Sequence, residues 1–245
     1  RCLDSLLADE LIRTVYLVDN ESTGDLRRAL ASHSPDRVQL VELPENRGFS
    51  AGVNVGIRQV LQGDAGALLC VNNDAILQPG ALASLVSALR ENRGVGMVGP
   101  TVVSPSGTTL STGTRFRALA MHAADNADGP PDALTWACVL LSTRVLREVG
   151  LLDERFFMYW EDVEFSLRMT QRGFEIAHVP SAVVVHEVSS SHTRAGSPRI
   201  AKYSAHGLVV LARTVGFRAW PATLARLTAR LMRAAVRLDG LEARA

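Results

Sequence analysis

Apolar and polar positions follow two periods along this chain. Val15 to Val18, Val38 to Leu43, Ala67 to Val71 and Val95 to Val103 are short aliphatic or β-branched runs, each ending at a polar or Gly-rich cluster, and they predict strands. Helices are predicted for Arg1 to Leu7 and Asp25 to Ser32, for segments opening near Gly48 and at Pro79-Gly80, and for one beginning near Trp160. In that last segment Val163 with Leu167 and Phe165 with Met169 lie four residues apart. Trp136 to Leu141 returns to the core, and Phe174 to Val179 and Ala182 to Val185 read as two more short strands. Strands alternating with helices predict an α/β domain whose ligands bind at the carboxyl ends of the strands. Ser104 to Asp132 interrupts the pattern: it is polar and rich in Gly, Ser, Thr, Ala and Pro, and reads as a mobile excursion over the site. Near the end, Leu224, Leu227, Leu231, Ala235 and Leu238 trace one helical stripe, and Arg226, Arg230, Arg233 and Arg237 trace another. Such a basic amphipathic helix suits an anionic membrane surface, the face of the domain, or a second copy in a homodimer.

Composition sharpens the division between body and tail. With 245 residues and 47% hydrophobic content the chain can bury one α/β core with an appendage. The formal charge of +1 conceals a body, 1–191, with 16 Arg against 23 acidic residues, a net of −7, and a tail, 192–245, with nine Arg and Lys202 against Asp239 and Glu242, a net of +8. The expected units are therefore 1–192 as the catalytic domain and 193–245 as a basic helical segment. The basic residues collect in the tail without interleaved aromatics, so nucleic-acid binding is not supported. Cys2, Cys70 and Cys138 lack metal-ligand spacing and read as reduced packing residues. No apolar run reaches the roughly 18 residues that span a bilayer, and no signal peptide opens the chain. A cytoplasmic protein is expected, with peripheral contact at the inner membrane face through 221–238.

Four clusters carry candidate chemistry. Glu161 and Asp162 fall in the first turn of the helix near Trp160, where free N–H groups and the helix dipole favour an ionised carboxylate that can take a proton from a hydroxyl. Acidic residues at a helix start are also ordinary caps. Asp19 and Asn20 lie where the first strand discharges into a polar loop. Between Glu45 and Gly56, Arg47 stands between Asn46 and Asn54, a fixed cation suited to a diphosphate. Gly48, Gly52 and Gly56 recur every four residues rather than as G-x-G-x-x-G, so a dinucleotide fingerprint fails, and the glycines instead make a smooth helix face that can pack closely on the sheet. Asn72-Asn73-Asp74 ends the most apolar strand and places a carboxylate and carboxamide within reach of a divalent ion and its diphosphate, though the same residues also spell a plain turn. His186, at the end of a late strand, is one of few nitrogen ligands available to an oxygen-rich site.

Taken in order, these motifs resemble family 2 of the inverting nucleotide-sugar glycosyltransferases, in particular a bacterial rhamnosyl- and galactofuranosyltransferase-like branch. The resemblance rests on Val18-Asp19-Asn20-Glu21-Ser22-Thr23, Asn46-Arg47-Gly48-Phe49 with Gly52 and Asn54, Asn72-Asn73-Asp74, Gly150 to Glu154 running into Trp160-Glu161-Asp162, and His186. It implies a GT-A fold, α/β with a mixed, mostly parallel central sheet flanked by helices. It also implies that Asp19 with Asn20 contacts the nucleotide and that Arg47, Gly48 and Asn54 line the donor site. Asn72, Asn73 and Asp74 match the DxD motif, with Asn in place of the first Asp. Asp74 and His186 would then hold Mn²⁺ or Mg²⁺, Asp162 would be the catalytic base with Glu161 beside it, and Trp136 and Trp160 would form sugar-stacking or acceptor walls. The expected partners are a nucleoside-diphosphate sugar and a glycan, lipid-linked or small-molecule acceptor. The family's opening strand and its Thr-Tyr-Asn type loop have no counterpart in the sequence, which leaves one wall of the base pocket and the base itself open.

Two other readings use the same residues. A site that loosens the anomeric C–O bond can let the sugar's own hydroxyl attack, which gives a nucleotide-sugar mutase. A non-catalytic sugar-nucleotide-binding protein is disfavoured because Asp74, Asp162 and His186 are all present.

Overall fold

The computed structural model describes residues 1–21, 26–126, 129–187 and 198–242, with 233–242 followed along the backbone alone. Ser22, Thr23 and the side chains of Arg233, Ala235, Arg237 and Leu238 therefore lie outside the described residues. Helix α1 (Cys2–Leu7) precedes β1 (Val15–Asn20), α2 (Leu26–Leu30) and β2 (Val38–Leu43). β1 and β2 pair in parallel, from Val15 opposite Val38 to Asn20 opposite Leu43. Helix α3 (Gly48–Gln62) packs on β1 through its glycines: a Cβ at Gly52 would stand 3.3 Å from the Asn20 carboxamide, and one at Gly56 would stand 3.4 Å from Val18. The smooth helix face expected from the glycine spacing is real, and it brings the start of α3 up to the end of β1.

The main sheet has six strands. β3 (Ala67–Val71), β9 (Cys138–Ser142), β5 (Val95–Val103), β10 (Glu175–His186) and β4 (Ala75–Leu77) lie side by side in that order, with β6 (Thr109–Ser111) added on β5. β9 is antiparallel to both β3 and β5, and β10 is parallel to β5. The carboxyl ends of β3, β5 and β10 therefore share one edge of the sheet with the amino end of β9. The sheet is mixed, as expected, but parallel pairing among the described strands is confined to β1/β2 and β5/β10.

Because side chains alternate across a pleated strand, neighbouring residues feed opposite cores. Met97 and Leu141 join Trp136, Phe165, Met169 and Phe174 on one side, under α5 (Thr143–Val149) and α6 (Glu161–Gln171). Val98 and Leu140 join Leu77, Leu82, Leu85 and Val184 on the other, under α1 and α4 (Ala81–Glu91). A third cluster sets Met121, Phe156 and Val163 against Leu208, Leu211 and Ala219, so that α7 (Pro198–Val215) and the turn leading into α8 (Trp220–Glu242) close over the start of α6.

Three expectations are corrected. The described part of the 104–132 excursion is ordered rather than a structureless loop: it supplies β6 and a hairpin, β7 (Thr114–Arg117) with β8 (His122–Asp125), pinned by fully buried Met121. The strand pair expected after α6 is a single strand, β10, whose register on β5 shifts between Val179 and Val183 around Pro180, which has no N–H to give the ladder. In α8 the leucine stripe does not pack as a unit. Leu227 joins the third cluster, whereas Leu224 and Leu231 face solvent and Arg226 turns inward to donate from Nε to the Ala120 carbonyl at 3.0 Å.

Candidate active site

Three loops converge where β1 ends. The Asn20 carboxamide accepts from the Arg47 N–H and donates to the Gly48 carbonyl, both at 2.9 Å, and the Glu21 carboxylate accepts from the Asn46 N–H at 3.1 Å. Asn20 therefore ties the turn before α3 to the end of β1, a role sequence alone does not separate from nucleotide contact. Gly48 has φ +84°, and a Cβ there would lie 2.5 Å from the Phe157 carbonyl, which instead accepts from the Phe49 N–H at 2.7 Å. Only glycine allows the turn to press against the segment that leads into α6. Asp19 is half-buried on the last residues of β1.

Asn54 departs from its expected place at the donor surface. It is buried, and its carboxamide closes a two-way clamp on the Leu152 backbone, donating at 2.8 Å and accepting at 3.0 Å, with a further bond to Glu154. A carboxamide occupied in this way organises the 150–154 loop. Glu154 gathers Arg47 at 3.1 Å and Arg58 at 3.0 Å, and Asn54 and Arg58 hold its carboxyl below the usual range. Arg47, expected as a free diphosphate contact, thus stands exposed at the site with its guanidinium directed by Glu154.

At the sheet edge defined by β3 and β10, Asp74 and His186 meet. His186 Nε2 lies 2.9 Å from Asp74 Oδ1, and both side chains are mostly buried. The register produces the pair: His186 sits opposite Ala75 on antiparallel β4, and the Glu187 N–H bonds the Asp74 carbonyl at 2.8 Å. A nitrogen and a carboxylate oxygen at this separation match two adjacent ligands of one cation, each about 2.0–2.2 Å from it. Among the described residues no group of three or more His, Cys, Asp and Glu could hold a metal ion. Asp74 and His186 are the residues here that could hold a cation, and as they stand they bond each other. Asn72 is anchored through its N–H to the Ala137 carbonyl at 2.9 Å and through its carbonyl to the Cys2 thiol, while Asn73 is exposed.

At the start of α6 burial overrides the helix dipole. Tyr159 and Trp160 both adopt left-handed backbone, at φ +74° and +75°, in a chain that bends sharply before the helix begins. The bend drives Glu161 inward, 7% exposed, with Oε2 lacking any hydrogen-bond partner among the described residues. Burial, reinforced by the Asp162 charge, pushes the Glu161 carboxyl up to about 8. Burial also pushes the half-buried Asp162 carboxyl up to about 6, opposed by the Val163 N–H it accepts at 2.8 Å and assisted by the charge of Asp125. The helix start is expected to favour the ionised Asp162 carboxylate; burial works against that preference, and desolvation outweighs the one N–H it accepts. Asp125 went unremarked in the sequence because it lies in the excursion. Only the β7–β8 hairpin carries it to Asp162. Arg168 fixes the other end of this unit, bonding Glu164 at 2.7 Å and the Val149 and Leu151 carbonyls.

Trp136 and Trp160, both expected as sugar or acceptor walls, differ in exposure. Trp136 is 2% exposed and packs edge-on to Phe165 at 5.2 Å inside the first core, so it cannot wall an open acceptor site. Trp160 is half-buried, with Phe116 against its ring at 6.5 Å and its indole N–H on the Ser204 carbonyl at 3.1 Å. It locks the hairpin and α7 to the start of α6.

Residues 1–204 match the glycosyltransferase like family 2. The chain belongs to this family, and it is a glycosyltransferase. It is 29% identical over 243 residues to the N-acetylglucosaminyl-diphospho-decaprenol L-rhamnosyltransferase of Mycobacterium tuberculosis, across 86% of this chain and 79% of that protein. It is also 26% identical to the low-salt glycan biosynthesis hexosyltransferase Agl10 of Haloferax volcanii, across 73% of this chain and 60% of the relative. Among solved structures, GalNAc-T7 with UDP, GalNAc and Mn²⁺ aligns at a TM-score of 0.63 and 15% identity, over 76% of this chain and 40% of that one. The mannosyltransferase PcManGT of Pyrobaculum calidifontis with GDP-Man and Mn²⁺ aligns at 0.60 and 18% identity, over 98% and 74%. The fold is GT-A.

Proposed function

We propose that this glycosyltransferase moves a sugar from a nucleoside diphosphate to an acceptor hydroxyl with inversion at the anomeric carbon, using Asp162 as general base. The observation that carries the reading is the Asp162 carboxyl. It lies half-buried at a strained helix start and is pushed up to about 6, where it is largely ionised near neutral pH yet basic enough to accept a proton. Asp162 takes the proton of the acceptor hydroxyl. The acceptor oxygen attacks the anomeric carbon, and the bond from that carbon to the diphosphate oxygen breaks with its electron pair leaving on the diphosphate. Inversion follows from a single displacement.

Asp74 and His186 are the residues that would hold a divalent cation, Mn²⁺ or Mg²⁺, which when bound neutralises charge on the leaving diphosphate. Arg47, set by Glu154, faces the same diphosphate, and Asp19 with Asn72 and Asn73 lies on the nucleotide side. Two relatives are named as rhamnosyltransferases, the mycobacterial enzyme and the dTDP-rhamnosyl transferase RfbF of Shigella flexneri, so dTDP-rhamnose is the first donor to test and a lipid-linked glycan the first acceptor class. The unit 1–192 would carry the chemistry. Calorimetric titration with dTDP, UDP and GDP sugars, with Mn²⁺ and with chelator, tests the donor and metal, and NMR of the product reads the anomeric configuration. Metal-independent binding would remove the cation, a retained configuration would remove the single displacement, and an isomerised donor formed without acceptor would make the protein a mutase.

A further inference from the structure

Over residues 221–232, α8 reverses the polarity of a surface helix. The side turned to solvent includes Pro221, Leu224, Ala225, Thr228, Leu231 and Met232 and carries no charged residue. Leu224, Leu231 and Met232 are 57%, 71% and 64% exposed. The side turned to the protein holds Leu227 together with Arg226 and Arg230. Just before the helix, Phe217 is 80% exposed, with the Arg218 guanidinium 5.9 Å from its ring centre. A helix covering a domain presents its apolar stripe to the core, whereas a contiguous exposed stripe of this kind marks an interaction surface.

The charge around the stripe selects the partner. Residues 198–232 contain five Arg and Lys202 and no Asp or Glu; Arg199, Lys202, Arg213 and Arg218 are exposed, Arg218 beside Phe217. Pairing two copies through this face would set two such positive segments together. A bilayer with anionic headgroups satisfies both features, because the apolar side chains enter the acyl boundary while the arginines meet the headgroups. Among the described residues no helix is long and apolar enough to cross a membrane, so the geometry is that of a helix lying in the interface plane.

We infer that Phe217 and the outward face of α8 dock this protein on an anionic lipid surface. The docked element is coupled to the site. Leu208, Leu211 and Ala219 share a cluster with Phe156 and Val163, and a Cβ at Gly207 would come within 2.6 Å of the Tyr159 carbonyl, so α7 is seated against the strained turn before Asp162. Docking therefore sets the orientation of the Asp162 site relative to the lipid surface. This deepens the proposed transfer to a lipid-linked acceptor and rests on that reading for its purpose, while the docking itself is measured without any transfer.

The test is flotation of the full chain with vesicles of phosphatidylcholine containing roughly one-third phosphatidylglycerol, and with phosphatidylcholine alone. The wild type is expected to float with the anionic vesicles and to be released by salt. A triple variant, Leu224→Gln, Leu231→Gln and Met232→Gln, is expected to lose at least about tenfold in partitioning while keeping its melting temperature, since these side chains touch water already. Equal flotation of the triple variant, equal binding to neutral vesicles, or no flotation of the wild type overturns the proposal. A wild-type dimer in sedimentation that the triple variant dissociates, without flotation, assigns the face to a second copy instead. Nucleotide titration of the same variant reports on the transferase reading separately.

Discussion

The two acidic centres of this enzyme differ in what surrounds them rather than in what they are made of. Asp74 meets His186 across two paired strands, at a polar sheet edge where each side chain has a partner. Glu161 and Asp162 sit next to one another at the start of a helix, Glu161 buried and Asp162 half-buried, with one Glu161 oxygen lacking a partner among the described residues and Asp125 adding charge. Backbone pairing creates the first centre, proposed to hold a cation. Desolvation shapes the second, proposed to take a proton. A polar edge and a desolvated helix start would turn the same carboxylate chemistry to different uses.

The largest effect should separate the two centres most cleanly. Asp162→Asn is expected to reduce turnover at least about a hundredfold while leaving metal-dependent donor binding nearly intact, as loss of a general base requires. Turnover near that of the wild type would take Asp162 out of the chemistry. Asp74→Ala and His186→Ala should do the reverse, weakening Mn²⁺-dependent nucleotide binding in calorimetry by at least about tenfold, a loss of the size seen when even supporting groups around a metal are removed. If both variants bind nucleotide and Mn²⁺ like the wild type, the sheet-edge pair is structural.

Smaller effects probe the start of α6. The rate is expected to rise with pH through about 6 as Asp162 ionises, and Asp125→Asn, which removes a charge that raises Asp162, should move that limb to lower pH. An unmoved limb would mean the hairpin does not tune the base. Stability should follow the opposite course. Both carboxyls keep their protons to higher pH when folded than when unfolded, so the folded state binds more protons in that window. Their stability contribution is therefore complete below the ordinary carboxylate range and is lost as pH rises through about 6 and about 8. Glu161→Gln should consequently raise the melting temperature by a few degrees above the upper of these values, roughly what 1–2 kcal/mol produces in a domain of this size, and change it little in acid. A lower melting temperature at high pH would show that the unpartnered oxygen has a partner the glutamine cannot replace.

Much of the fold could be read in advance because it depends on short-range patterning. The strands at 15–20, 38–43, 67–71 and 95–103 and the helix at 161–171 announce themselves by period and by their terminators. The excursion could not be read this way. Its strands are three or four residues long with no clear alternation, and what orders them is pairing of β6 on β5, pairing within the β7–β8 hairpin and one buried methionine. The tryptophans misled for a related reason: Trp136 and Trp160 look alike in sequence, but burial in the first core and contact with Phe116 and Ser204 are long-range facts.

Sequence by itself determined the alternation of strand and helix, the family, and which side chains were available for chemistry, because periodicity, turn residues and motif order are all properties of neighbours along the chain. Tertiary structure decided what those side chains do. It gave Asn54 to a loop clamp, set Glu154 on Arg47, joined Asp74 to His186 across a register, brought Asp125 to Asp162 and turned Leu224 and Leu231 of α8 outward. Burial and distance between residues far apart in the chain set pKa, pairing and exposure, and neither quantity is encoded at any single position.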